Sequence, residues 1–279
     1  MKSFPIGVIL ESLRLPLSEA LDTVSSLGAQ GIQVYATNGE LSPKNLSGDM
    51  RRDFPRMVRD RGLAISALCG DLGRGFGNRE LNPQLIEDSK RIIDLALEWD
   101  TNIVTTHIGV VPADSAHPRY KIMQDACGEL AEYADSIKAH FAVETGPETA
   151  QTLCGFLDSL HSRGVAVNLD PANLVMVTGD DPVRAVHTLK NYIVHTHAKD
   201  GRKLYDKDPE KIYGIAFDTE VTDPAFIELP LGEGDVPFAD YLNALREIGY
   251  TGYLTIEREV GDQPVRDIET AVRFLRRHF

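Results

Sequence analysis

Cysteine is scarce in this chain: three residues in 279, Cys69, Cys127 and Cys154, with no CxxC spacing among them. An odd, scattered set excludes a disulfide framework and fits reduced thiols in a cytoplasmic protein. No apolar run approaches the ~18 residues that a membrane span needs, so no membrane partner is expected. The apolar stretch of the first ten residues is short, holds Pro5 and Gly7, and is closed by Glu11. With no small-residue cleavage site it reads as a first strand, not as a signal peptide. Basic residues are in the minority, 29 against 42 acidic, and the net charge of −13 repels polyanions, which argues against nucleic acid as a partner. The phosphate-cradling patterns GxGxxG and GxxxxGK[ST] are missing, so no nucleotide cofactor is implied. No linker-like tract interrupts the chain, and residues 1–279 are expected to form one domain.

What is present is an ordinary globular composition, 42% hydrophobic and 25% charged, at a length that suits an α/β barrel of about 250 residues. Apolar, β-branched runs recur at 4–10, 31–36, 63–68, 102–108, 141–144, 165–170, 192–197 and 253–257. Stretches with helical spacing lie between them, near 18–28, 49–61, 82–99, 118–138, 149–163, 181–190, 236–248 and 264–278. Ser18, Asp180-Asp181-Pro182 and Asp235-Val236-Pro237 read as helix starts, and Gly28, Gly62, Gly164 and Gly249 as helix stops. Eight alternating strand–helix pairs predict a single (β/α)8 TIM barrel, with an open doubly wound sheet as the alternative. Two connections, 70–82 and 201–234, are long and follow strand ends, which places them on the catalytic face as binding loops or lids.

Four of the runs end on ligand-type side chains. Glu144 closes His-Phe-Ala-Val-Glu, Asp170 closes Val-Ala-Val-Asn-Leu-Asp, His197 closes Tyr-Ile-Val-His-Thr-His, and Glu257 closes Tyr-Leu-Thr-Ile-Glu. Successive members are 26, 27 and 60 residues apart, against about 30 residues for one βα unit, and they are read as lying on consecutive strands. In a closed parallel barrel all four emerge at one rim, where three carboxylates repel one another unless a cation sits between them. Three hard oxygens and one imidazole suit Mn²⁺, Mg²⁺ or Co²⁺ better than a thiolate-type zinc site. Each has a bland reading too: a glutamate at a strand end can cap the next helix, and Asp170 before Pro171 can be a turn residue. His195 and His197 are read as alternating, one facing the barrel interior and the other the helices. Four coincidences at the same end favour the metal reading.

The motifs Val-Glu-Thr-Gly (143–146), Asn-Leu-Asp-Pro-Ala-Asn (168–173), His-Thr-His-Ala-Lys-Asp (195–200), Pro-Leu-Gly-Glu-Gly-Asp-Val (230–236) and Ile-Gly-Tyr-Thr-Gly-Tyr-Leu-Thr-Ile-Glu (248–257) bring the chain close to a known family. It resembles the xylose isomerase-like TIM-barrel superfamily, the sugar phosphate isomerase/epimerase group that also includes the AP endonuclease 2 fold. The resemblance implies one divalent ion held by Glu144, Asp170, His197 and Glu257, manganese first, with Mg²⁺, Co²⁺ or Zn²⁺ as alternatives. It selects His197 over His195, because the family's metal histidine precedes an acidic residue by three positions, here Asp200. It also implies a Glu144/Glu257 acid–base pair working on a metal-stabilised enediolate. Members that cleave phosphodiesters carry a histidine three residues after the strand-six aspartate; Asn173 stands there, which argues against DNA repair.

The implied substrate is a small sugar or keto-polyol, unphosphorylated since no basic cluster demands a phosphate. The implied reaction is isomerisation or epimerisation. The rival reaction is elimination, as in inosose dehydration or cleavage of 3-keto-glycosides, and a non-catalytic sugar-binding barrel is the rival from outside enzymology. His107 reads as a binder of a substrate hydroxyl or else a core histidine. Lys199 and Arg202 read as neutralisers of developing oxyanion charge or else as a solvated loop. Trp99 reads as packing and Glu233 as loop-forming. Homo-oligomerisation is left open.

Overall fold

The computed structural model of the protein describes residues 3–218 and 223–279. Eight strands close a parallel barrel: β1 (Ile6–Ile9), β2 (Gly31–Tyr35), β3 (Ala64–Cys69), β4 (Ile103–Thr106), β5 (His140–Glu144), β6 (Val165–Leu169), β7 (Ile193–Ala198) and, after an excursion, β10 (Leu254–Ile256), which pairs with both β7 and β1. The doubly wound alternative is thereby ruled out. The helices are α1 (Leu17–Ser26), α2 (Gly48–Arg59), α3 (Asn82–Glu98), α4 (Pro118–Ser136), α5 (Ala150–Asp158), a short α6 (Pro171–Asn173), α7 (Pro182–Thr188), α9 (Phe238–Glu247) and α10 (Pro264–Arg276). Strand residues on both faces are buried, as expected when helices cover the outside of a filled barrel. Trp99 is a packing residue, its ring 4.8 Å from Phe54 and its indole N–H donated to the Arg51 carbonyl.

The punctuation differs from expectation in instructive ways. Asp181 caps α7 as its sequence suggests, accepting from the Val183 and Arg184 amides. Ser18 does not start α1; the helix opens at Leu17 after Pro16, and the Ser18 hydroxyl accepts from Arg61 instead. Asp235 does not cap α9 either, because its carboxylate faces Arg202. Gly28, Gly62 and Gly249 sit at positive φ just past their helices. Gly164 has another reason: a Cβ there would run into the backbone of α4, so only glycine lets the chain pass.

The 201–234 connection is not one structureless loop. β8 (Asp200–Lys203) pairs antiparallel with β9 (Phe226–Leu229), and α8 (Pro209–Ile212) lies between them; residues 219–222 of this predicted lid fall outside the described residues. Asp200 braces the excursion by accepting from the amides of Gly201, Gly232, Gly234 and Val236. The 70–82 connection is anchored as well, with Phe76 buried against Phe141 and its amide bonded to the Ile108 carbonyl. Among the described residues no helix is long and apolar enough to cross a membrane.

Two register shifts matter for the site. The β2–β3 pairing slips between Ile32 and Gln33, and the β6–β7 pairing between Val167 and Asn168. Bulges re-aim side chains next to functional sites, and the polar residue after each slip, Gln33 or Asn168, points into the barrel.

Candidate metal centre

Glu144 ends β5, Asp170 follows β6, His197 lies near the end of β7 and Glu257 follows β10. Because parallel strands all end at one mouth, four positions far apart in sequence meet there. One donor atom from each lies within 4.8 Å of all the others, and all four residues are buried. His197 Nδ1 is 3.2 Å from Asp170 Oδ2, 3.2 Å from Glu257 Oε2 and 3.6 Å from Glu144 Oε1. Three carboxylate oxygens and one imidazole nitrogen converging on one point fit a divalent cation of the hard or borderline kind.

The outer contacts fix that convergence. His197 Nε2 is 3.1 Å from Gln33 Oε1 and 3.1 Å from Asn168 Nδ2, so a proton on Nε2 serves Gln33 and Nδ1 is the ring nitrogen that faces the carboxylates. Asn168 donates from Nδ2 to Glu144 Oε2 at 3.0 Å, and Asn173 donates to Glu144 Oε1 at 3.1 Å. Thr145 ties β5 to β6 through the amide and carbonyl of Asp170. Gln33 and Asn168 were not picked out from sequence. Their signal was a lone amide inside an apolar strand, Gly-Ile-Gln-Val-Tyr and Val-Ala-Val-Asn-Leu, where a buried polar group demands a partner.

His195 and His197 do not face opposite sides. Residues two apart on a strand share a face, and both rings point inward, 5.8 Å apart. Thr196 between them points outward, to the Tyr241 hydroxyl. His195 is a saturated interior histidine, with Nδ1 2.8 Å from Asn168 Oδ1 and Nε2 2.9 Å from Thr255 Oγ1. Burial and the neighbouring His197 push its pKa well down, so it stays neutral.

His107 lines the cavity over the cluster, with Nε2 3.4 Å from Glu144 Oε1. Lys199 is buried there too, its Nζ 3.0 Å from Glu257 Oε2 and in contact with Glu259. Arg202 is not brought to the site: on β8 its guanidinium pairs with Asp235 at 2.9 Å, exposed, and it does not line the cavity. Burial pushes the Glu257 carboxyl up, but Lys199 and His197 outweigh it and hold the group well below the usual carboxylate range. Burial likewise opposes a charge on His197, yet Glu257, Glu144 and Asp170 hold its pKa well above normal. The cavity measures about 650 Å³, within the ~300–1,000 Å³ of small-molecule sites. Tyr35, Met176, Tyr213 and Phe226 supply its apolar walls.

Glu148 was also missed. Its Oε2 accepts from the Val111 amide at 3.1 Å, while its buried Oε1 has no partner among the described residues. Burial pushes this carboxyl from its ordinary 4.5 up to about 8. A folded-state pKa above the unfolded one means the folded chain keeps a proton that the unfolded chain loses between these values. Stability therefore falls as pH rises from about 5 to about 8. Glu148→Gln removes this slope and should gain about 4 kcal/mol on wild type between pH 5 and pH 8, read by urea unfolding with EDTA at both pH values. Parallel pH dependences for the two proteins would show that Glu148 is ionised in the fold.

The fold and donor set together define a (β/α)8 protein with a carboxylate–imidazole centre at its mouth. The chain belongs to the xylose isomerase-like TIM-barrel family, whose pattern it matches over residues 21–278. It is 24% identical over 251 residues to an uncharacterized protein of Methanocaldococcus jannaschii, covering 84% of this chain and 76% of that one. It is 23% identical to a fructoselysine 3-epimerase of Shigella flexneri over 88% of this chain and 86% of the relative. An inosose dehydratase of Clostridium tetani is 29% identical, but that match spans 52% of this chain and about half, 48%, of the relative. Among solved structures, a xylose isomerase domain protein from Planctomyces limnophilus superposes with a TM-score of 0.80 at 25% identity, covering 99% of this chain and 96% of that one. These relatives thus include an epimerase and a dehydratase on the same fold.

Proposed function

We propose that the barrel binds one divalent ion through Glu144, Asp170, His197 and Glu257 and isomerises or epimerises a keto-sugar or keto-polyol. One observation carries this reading: Glu144 and Glu257 stand on strands separated in the barrel by β6 and β7, yet their donor oxygens converge within 4.8 Å. A binder has no need of two carboxylates reaching one point from different sides. The ion, manganese by preference, supplies Lewis-acid stabilisation for negative charge that develops on the substrate's carbonyl oxygen.

One glutamate takes the carbon-bound proton beside the carbonyl on one face of the substrate, and the other returns a proton on the opposite face. Lys199, 3.0 Å from Glu257, keeps that carboxylate ionised and ready to accept. Asn168 and Asn173 hold both oxygens of Glu144 in a fixed plane. His107 donates to a substrate hydroxyl from the side of Glu144, and the apolar walls exclude water from the enediolate.

A lyase is the second reading, favoured by the similarity to an inosose dehydratase. The same enediolate expels a β-substituent if a group is placed to leave, and His107 is the residue positioned to protonate it. Incubating Mn²⁺-loaded protein in D₂O with ketoses, inososes and 3-keto-glycosides separates the readings. Deuterium at an epimerised or isomerised carbon supports the first, and a dehydrated or cleaved product the second. Sugar binding with neither exchange nor elimination across the panel would leave a non-catalytic barrel.

A further inference from the structure

The cavity over the metal cluster adjoins a second one. Asp71, His107 and Tyr213 line both, with the rings of His107 and Tyr213 5.8 Å apart. The second cavity measures about 460 Å³ and is bounded on its far side by the glycine-rich 73–77 segment, Arg74 and Arg119. The first cavity alone suffices for a monosaccharide, so the second is room that a free sugar over the carboxylates does not use.

Its chemistry points to a negative partner. Arg119 Nε is buried and meets no acceptor among the described residues, although another nitrogen of the same guanidinium pairs with Glu210. Buried donors are ordinarily satisfied, so this guanidinium keeps unused donor capacity beside the cavity it lines. Arg74 stands on the same wall, exposed, and has no carboxylate partner among the described residues. In a chain of net charge −13, this cavity is lined by two arginines against one aspartate, Asp71, with Glu210 paired to Arg119 and Arg74 left to face a ligand. The glycines keep the wall in place. A Cβ at Gly77 would stand 2.9 Å from Arg119 Cδ and displace it, and one at Gly75 would stand 2.8 Å from the Ile108 carbonyl oxygen.

We propose that this second cavity is a subsite for a carboxylate-bearing arm attached to the sugar, so that the substrate is a keto-sugar conjugate whose sugar lies over the metal cluster and whose acid lies against Arg119 and Arg74. The proposal rests on the keto-sugar reading of the metal cavity. A planar carboxylate matches the guanidinium fork. Because His107 and Tyr213 stand between the two cavities, the acid belongs on an arm and not on the sugar ring itself.

The test compares three ligands by calorimetry on Mn²⁺-loaded protein: D-fructose, its 1-amino conjugate with β-alanine, and its 1-amino conjugate with propylamine, which has the same length without the acid. The β-alanine conjugate should bind about tenfold or more tighter than the propylamine conjugate, the worth of a charge-assisted hydrogen bond. In Arg119→Gln and in Arg74→Ala that ratio should fall towards one. Arg74→Ala is informative even where Arg119→Gln fails to fold, since Arg74 is exposed. If D-fructose binds and the carboxylate adds nothing, the subsite is wrong while the metal cavity's reading stands. If none of the three binds, the keto-sugar reading falls and the subsite with it.

Discussion

Glu257→Gln should keep Mn²⁺ yet lower turnover by about 10²–10⁴-fold, the usual worth of a positioned general base. The amide retains an oxygen for the ion and removes the proton acceptor. Lys199 loses one partner at 3.0 Å but keeps Glu259 and Glu228, so the local charge balance survives. Glu144→Gln is not its equal. Both Glu144 oxygens already accept side-chain amide donors, from Asn168 and Asn173, and a glutamine NH₂ would face one of them donor to donor. That variant should therefore lose metal affinity as well as turnover. For an epimerase, wild type incorporates solvent deuterium at the inverted carbon, and one of the two variants should still exchange that proton without inverting the centre. A metal-replete Glu257→Gln enzyme with near-normal turnover would make Glu257 a ligand only, and His107 the first alternative base to test.

Asp170→Ala should abolish stoichiometric Mn²⁺ binding, seen by elemental analysis after gel filtration. The loss should exceed the ~10–100-fold that removing a merely orienting neighbour costs, because Asp170 Oδ2 is itself one of the converging donors, 3.2 Å from His197 Nδ1. Asp170 is wholly buried, and its Oδ1 caps the short α6 by accepting from the Asn173 amide at 2.8 Å. A rim residue could be cut away without consequence; this one also holds the turn that aims Asn173 at Glu144. Asp170→Asn keeps the cap acceptor and removes the charge. It should bind metal as poorly as the alanine variant while unfolding, metal-free, at or above the wild-type temperature, since buried like charges repel. Undiminished metal in either variant would remove Asp170 from the ligand set.

Much of this was legible because it is local. Runs of β-branched residues separated by helical spacing report strands and helices without any partner, and a charged residue closing an apolar run marks a strand end. Glu144, Asp170, His197 and Glu257 were readable on those terms, and so was their common rim, since parallel strands in a barrel all end on one side. The Asp200 brace and the β8–β9 excursion were not, because a hairpin returning across two dozen residues leaves no period in the chain. Lys199 and Arg202 are three positions apart and looked alike in sequence. Only the turn from β7 into β8 decides that one is buried beside Glu257 and the other pairs with Asp235 on the surface.

The sequence by itself determined the alternation of strands and helices, their order and the four ligand-type residues at strand ends, since each depends on composition and spacing along short stretches; that the sheet closes into a barrel was decided by the tertiary structure. The tertiary structure alone decided what holds those donors and what lies beside them. Gln33 reaches His197 across 164 residues of sequence, and it does so because β2 and β7 look inward across the closed barrel and register slips adjoin Gln33 and Asn168. The second cavity arises where the 73–77 segment, the start of α4 and the end of α8 meet. Such contacts depend on how the barrel closes, a property that no single stretch of chain possesses.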